Sequence, residues 1–206
     1  AGSNGAGSTI ENVSNRGAVT SNVAEGQNFG GINGSNAGTI KNAYNYGDVT
    51  ADMGSGMGGN SVGGISGYNK DGGTIEKTGN TGVIKGGLAV GGIVGEAMVY
   101  TTIAACRFAG NITFEKYRGE LTVGGIAGRT DGSVNGCLNE GNITVEVSEN
   151  GGVSGGGITG DCNGKNIRIT GCINRGKLSG NSTSYKTEGI SLAGIVGTNF
   201  SGSTIN

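Results

Sequence analysis

Gly124-Gly125-Ile126-Ala127-Gly128, then Ser133-Val134, then Asn139-Glu140-Gly141-Asn142-Ile143: this wording decides the fold, because it returns along the whole chain. Its first phrase, Gly-Ile-X-Gly, occurs at Gly31–Gly34, Gly64–Gly67, Gly92–Gly95, Gly125–Gly128, Gly157–Gly160 and Gly194–Gly197. Its second, Thr-Ile or similar, places Ile10, Ile40, Ile75, Ile103, Val134, Ile169 and Ile205. Its third, Asn-X-Gly-X-(Val/Ile/Leu), runs Asn15–Val19, Asn45–Val49, Asn80–Ile84, Asn139–Ile143 and Asn174–Leu178, with Phe108 replacing the asparagine in Phe108–Ile112. Such phasing is the mark of a stacked repeat, here six repeats of roughly 32 residues.

The spacings say which parts are rigid. From the Thr-Ile aliphatic residue to that of the third phrase is 9 residues in all six copies. From the aliphatic residue of the third phrase to the next Gly-Ile isoleucine the gap varies from 9 to 17. A constant spacing implies a strand–corner–strand unit, and a variable one implies a loop that grows without disturbing the stack. The variable segments are 20–29, 50–61, 85–89, 113–122, 144–153 and 179–191, all expected to leave one edge.

Composition agrees with a thin core. The chain has 206 residues with 48 glycines, no proline and no histidine, and only 33% are apolar. Glycine costs about 1 kcal/mol at each helical position, and every helical window holds several. Short Val/Ile/Thr segments between Gly/Asn turns read as strands. The expected fold is therefore all-β: a parallel β-helix solenoid, one domain over 1–206, with about six coils and three short strands per coil. Coils stacked at roughly 4.8 Å give a rod on the order of 30 Å long. Ile10, Val19 and Ile32 begin inward aliphatic columns. Asn15, Asn45, Asn80, Asn139 and Asn174 form an amide column, and the glycines two residues later are expected at positive φ. The first glycine of each Gly-Ile-X-Gly is expected to face away from the isoleucine, leaving a bare stripe. Ser203-Thr204-Ile205-Asn206 repeats the opening of a coil, as at Ser8-Thr9-Ile10-Glu11, so the chain reads as part of a longer protein.

The same composition excludes several chemistries. Without histidine there is no Ser-His-Asp triad, Cys-His pair or histidine-bound zinc. A net charge of −1 gives no footprint for nucleic acid. No apolar run is long enough for a membrane-spanning helix. Cys106, Cys137 and Cys172 share one column and read as small buried thiols, with a bridge between neighbours geometrically open; Cys162 reads as a turn residue. No C-x₂₋₄-C pair supports zinc, and no carboxylate cluster supports calcium. Glycosidase or lyase chemistry needs carboxylates aligned on one face. Asp48 has outward neighbours Ala18 and Val83, and Glu115, Lys116, Tyr117, Arg118 and Glu120 fall within one variable segment.

The Gly-Ile-X-Gly core, preceded by glycine in five copies and by Ala193 in the sixth, resembles the GLUG motif of bacterial surface proteins, Gly-Leu/Ile-hydrophobic-Gly. The copies at Gly92, Gly125 and Gly194 match it; Asn33, Ser66 and Thr159 depart from the hydrophobic third position. The resemblance spans about residues 8–206. It implies a non-enzymatic repeat region of an extracellular, adhesin-like protein, or of the non-catalytic part of an immunoglobulin-A-specific metallopeptidase. It brings no catalytic residues and no cofactor. Implied partners are a host protein or glycan and other domains of the same chain. Within the variable segments, Tyr117 with Arg118 and Tyr185 with Lys186 pair an aromatic with a cation and are the candidate binding residues. A spacer that holds another domain at a distance is the alternative.

Overall fold

The computed structural model describes residues 1–22, 27–51, 60–70, 72–164, 167–182, 189–199 and 203–206, with backbone alone for 116–118 and 149–150. The chain winds through a succession of short strands, and each described strand pairs in parallel with its counterpart one repeat away. The result is an all-β parallel solenoid of about five turns. Among the described residues there is no helix.

Each coil is divided more finely than three strands. One coil runs Ser61–Gly63, Ser66–Asn69, Thr74–Glu76, Gly79–Asn80 and Ile84–Lys85. These strands belong to four sheets. The motif sheet contains Ser66–Asn69 and the Thr-Ile sheet contains Thr74–Glu76. The Asn sheet contains Gly79–Asn80. The long sheet takes both Ile84–Lys85 and, on the far side of the variable segment, Ser61–Gly63. The third phrase is split because its glycine turns the chain between the Asn and long sheets.

The core is a set of columns. Ile40, Ile75, Ile103, Val134 and Ile169 stack in the Thr-Ile sheet, and Val49, Ile84, Ile112 and Ile143 in the long sheet, all fully or almost fully buried. Ile32, Ile65, Ile93, Ile126 and Ile158 form the third buried column, with Ile195 packed against it. Backbone amides join this column coil to coil, as in Ile65 N–H to Ile93 O at 2.9 Å.

Two asparagine ladders satisfy the polar corners. Asn15 Nδ2 donates to Asn45 Oδ1 at 2.8 Å, Asn45 to Asn80 at 2.9 Å, and Asn139 to Asn174 at 2.8 Å. Asn15, Asn45, Asn80 and Asn174 also donate to the carbonyl two residues on, for example Asn45 to Gly47 at 2.6 Å, and Asn139 Oδ1 accepts from the Gly141 amide at 2.9 Å. Phe108 fills the intervening slot, and Asn80 turns its second N–H to Gly92 O at 3.1 Å. The second ladder, Asn4–Asn36–Asn69, lies at the end of the motif sheet with links of 2.8 Å. Buried amides that pair with both neighbours avoid the cost of an orphaned polar group.

Two expectations about glycine are overturned. The glycines after the Asn column are not at positive φ. That conformation belongs to the preceding corner, two residues past the Thr-Ile aliphatic: Asn12 (55°), Asn42 (50°), Lys77 (52°), Ala105 (53°), Gly136 (58°) and Gly171 (61°). The post-asparagine glycines are needed for close approach instead, since a Cβ on Gly82 would lie 2.0 Å from Gly47 O. The stripe of first glycines in Gly-Ile-X-Gly also does not face outward. A Cβ on Gly64 would lie 2.2 Å from Asn80 Nδ2, and one on Gly92 would lie 2.3 Å from the Phe108 ring. From Gly31 to Gly157 the stripe is the internal seat of the column of Asn and Phe108, a matter of backbone packing, whereas a Cβ on Gly194 in the last coil would meet nothing within 4 Å.

Two of the variable segments are not loops. Asn111–Gly124 and Asn142–Gly156 are continuous strands that leave the coil, return, and pair with each other along their length, with register shifts around Tyr117. The next coil joins through Leu178–Ser182 and Gly189–Ala193. The excursions extend the apolar core: Phe114, Leu121, Val145, Val147 and Val153 are buried in it, and Ile190 and Leu192 pack against it. The alternation Ile143-Thr144-Val145-Glu146-Val147, buried at every second residue, is the local reason. This spur projects from one edge of the rod.

Candidate functional site

The four residues singled out from the sequence receive little structural definition. Tyr117 and Arg118 lie in the strand Asn111–Gly124, with Tyr117 opposite Val147 on the neighbouring excursion. Their side chains, and the whole of Tyr185 and Lys186, lie outside the described residues.

The structure brings together a different group. Directly after each Gly-Ile-X-Gly comes a residue of the motif sheet that points outward: Ser35, Tyr68, Glu96, Arg129, Asp161 and Thr198 are in register. The preceding glycine lets this strand fold back onto the long sheet. A Cβ on Gly95 would lie 2.5 Å from Val62 N of the coil before. The outward column of the motif sheet therefore faces the outward column of the long sheet, which carries Ser61, Ala89, Thr122 and Ser154. Between them runs a groove of about 310 Å³, parallel to the rod axis. Asn60, Ser61, Leu88, Glu120 and Thr122 line one wall, and Glu96, Arg129, Asp161 and Asn163 the other.

The wall is held by its own polar contacts. Ser61 Oγ donates to Glu96 Oε2 at 3.2 Å, and Arg129 Nη1 stands 3.9 Å from Glu96 Oε1. Ser154 Oγ meets Gly160 O at 2.6 Å and Thr198 Oγ1 at 2.7 Å. Arg129 Nε and Asp161 Oδ1 are shielded from solvent and find no hydrogen-bond partner among the described residues. Burial raises the pKa of the Asp161 carboxyl; Arg129 opposes this and the Asp131 charge adds to it. Carboxylates, a guanidinium, amides and hydroxyls along one groove form a set that can grip paired hydroxyls or an extended polar chain.

A larger concavity, about 460 Å³, lies beside the spur over the outward column Thr20, Thr50, Lys85 and Thr113, with Phe114 and Glu115 at its end. It is broad and carries one cation among threonines. The smaller groove holds the denser donor and acceptor set and is the better site. Among the described residues no group of three or more Cys, Asp or Glu is arranged to hold a metal ion. No described helix is long and apolar enough to cross a membrane.

The column of Asp48, the nearest carboxylate column in the sequence reading, does not line this groove. The signal was one residue beyond the glycine of each Gly-Ile-X-Gly, where Glu96, Arg129 and Asp161 follow one another in successive repeats. Cys162 was also misplaced: it closes the strand Thr159–Cys162, buried beside Thr130. No family model, curated relative or solved structure matches the chain.

Proposed function

We propose that this chain is a non-enzymatic, extracellular β-helix repeat region of a bacterial adhesin-like surface protein, and that it binds a host glycan or protein. The observation that carries the reading is the axial groove between the motif and long sheets, with Glu96, Arg129 and Asp161 on successive coils. Planar polar groups repeated at the coil spacing of roughly 4.8 Å suit an elongated ligand lying along the rod. The GLUG-like wording of the repeats supports the surface setting. The sequence candidates Tyr117, Arg118, Tyr185 and Lys186 are proposed as further binding residues.

Binding of the purified chain to arrayed host glycans and matrix proteins tests the reading. Arg129→Ala and Glu96→Gln should weaken binding at least about tenfold, a loss of roughly 1.4 kcal/mol. Tyr117→Ala and Tyr185→Ala report whether these two candidates share the ligand. A spacer, the second reading, rests on the unbroken coil-to-coil pairing that stiffens the rod. It predicts no binding by the folded chain.

A further inference from the structure

Cys106, Cys137 and Cys172 stand directly above one another on three consecutive coils. The Leu138 amide donates to Cys106 O and the Ile173 amide to Cys137 O, both at 2.9 Å, which fixes the three backbones in register. Their side chains share one orientation. Each sulfur reaches back to a carbonyl of the previous coil: Cys106 to Ile75 O at 3.6 Å, Cys137 to Ile103 O at 3.8 Å, Cys172 to Val134 O at 3.5 Å. Adjacent parallel strands place Cα atoms roughly 4.8 Å apart, within the range a disulfide spans. Cys106 and Cys137 are buried, whereas Cys172 is partly open to solvent. All three are free thiols.

We propose that this column is a thiol–disulfide exchange site, entered at Cys172 and resolved by Cys137, whose co-reactant is a low-molecular-weight disulfide. The inference is independent of the axial groove. In the first step the Cys172 thiolate attacks one sulfur of R–S–S–R. A Cys172–S–R bond forms, the S–S bond of the reagent breaks, and R–S⁻ leaves and takes a proton. In the second, Cys137 attacks the Cys172 sulfur and its proton passes to the departing R–S⁻. A Cys137–Cys172 bond forms and the second R–SH departs. Two protein thiols are oxidised and one reagent disulfide is reduced to two thiols. Cys106, on the other side of Cys137, can then displace Cys172 and carry the bridge one coil inward.

The order follows from access and acidity. The reactive species is the thiolate, and the best attacking thiol has a pKa near the ambient pH. A hydrogen bond from Cys137 draws Cys172 down to about 7, against the opposing effect of burial. The neighbouring thiols, and then burial, push Cys137 up. Cys106 shares the contact with Cys137 but has no solvent access, so the reagent meets the ionised sulfur at Cys172. Cys162, on a different sheet, is pushed up to about 12 by burial and serves as an internal control.

The test treats the folded chain with oxidised glutathione at pH 8. Digestion with trypsin and a glutamate-specific protease separates Cys137 from Cys162 at Glu140, and the products are mapped without reduction. The expected result is loss of two of the four thiols, the peptide of Cys137 joined to that of Cys172 or, after transfer, to that of Cys106, and Cys162 untouched. Cys137→Ser should trap glutathione on Cys172, and Cys172→Ser should slow thiol loss at least about tenfold. The inference is overturned if all four thiols persist, if Cys162 reacts first, or if wild-type Cys172 stays glutathionylated without bridging. Wild-type mapping alone decides the matter should a variant fail to fold.

Discussion

At the scale of single residues, the asparagine ladder and its one interruption show how chemistry, rather than size, fills the corner. Five coils carry asparagine there, and Phe108 is the exception, wholly buried in the same slot. Phe108→Ala leaves a cavity and should cost about 3–5 kcal/mol. Phe108→Asn should cost about 2 kcal/mol less, because the new amide would link Asn80 to Asn139 and recover hydrogen bonds on both sides. Denaturant unfolding of the two variants measures the difference; equal losses would mean that the slot had adapted to the ring. Asp161 makes a second prediction. Its pKa is raised in the folded chain by burial, so its ionisation opposes folding. That penalty is absent below the ordinary aspartate value, grows as pH rises towards the raised one, and is constant above it. Asp161→Asn should therefore be more stable than wild type at pH 7, with the gain shrinking to nothing near pH 3. Paired melting curves across that range give the readout.

At the scale of elements, the corners do the work that a wide core does elsewhere. Gly92 turns the chain from the long sheet to the motif sheet with its α-carbon against Phe108 and the Gly125 carbonyl. Gly136 turns it at φ 58° in open space. Gly92→Ala should cost more than about 3 kcal/mol, since backbone must move on two coils. Gly136→Ala should cost only about 1–2 kcal/mol, the strain of the left-handed region, which Ala105 already accepts one coil earlier. Thermal unfolding separates the two, and a similar cost at both sites would contradict the distinction between crowding and conformation. The corners were half legible. Their positions follow from the repeated glycines, but the glycine after the asparagine points positive φ to the wrong corner, because asparagine and lysine occupy the true one in early coils. The variable length of 113–122 and 144–153 reads as loop; their strand character depends on the neighbouring excursion as a pairing partner.

For the molecule as a whole, each coil touches little beyond its two neighbours, so stability is close to a sum of coil and interface contributions. Removing residues 75–102, which joins Thr74 to Ile103, excises one coil and leaves the spur intact. The shortened chain should stay folded and lose about 4.8 Å of length. Small-angle scattering measures the length, and an unfolded product would show that the coils are not interchangeable.

The amino-acid sequence by itself determined the repeat, its register and the inward aliphatic and Asn columns. Parallel coils stack one residue over one residue, so equal spacing in the chain becomes vertical alignment in space. It also placed Cys106, Cys137 and Cys172 on one line, for the same reason. Only the tertiary structure decided what happens between columns. The sharp fold at Gly-Ile sends the first glycine inward against the Asn column and turns Glu96, Arg129 and Asp161 towards Ser61 and Thr122. Those facing walls belong to strands bent across a corner, and the angle of a corner is set by backbone packing against the next coil, which no spacing along the chain records.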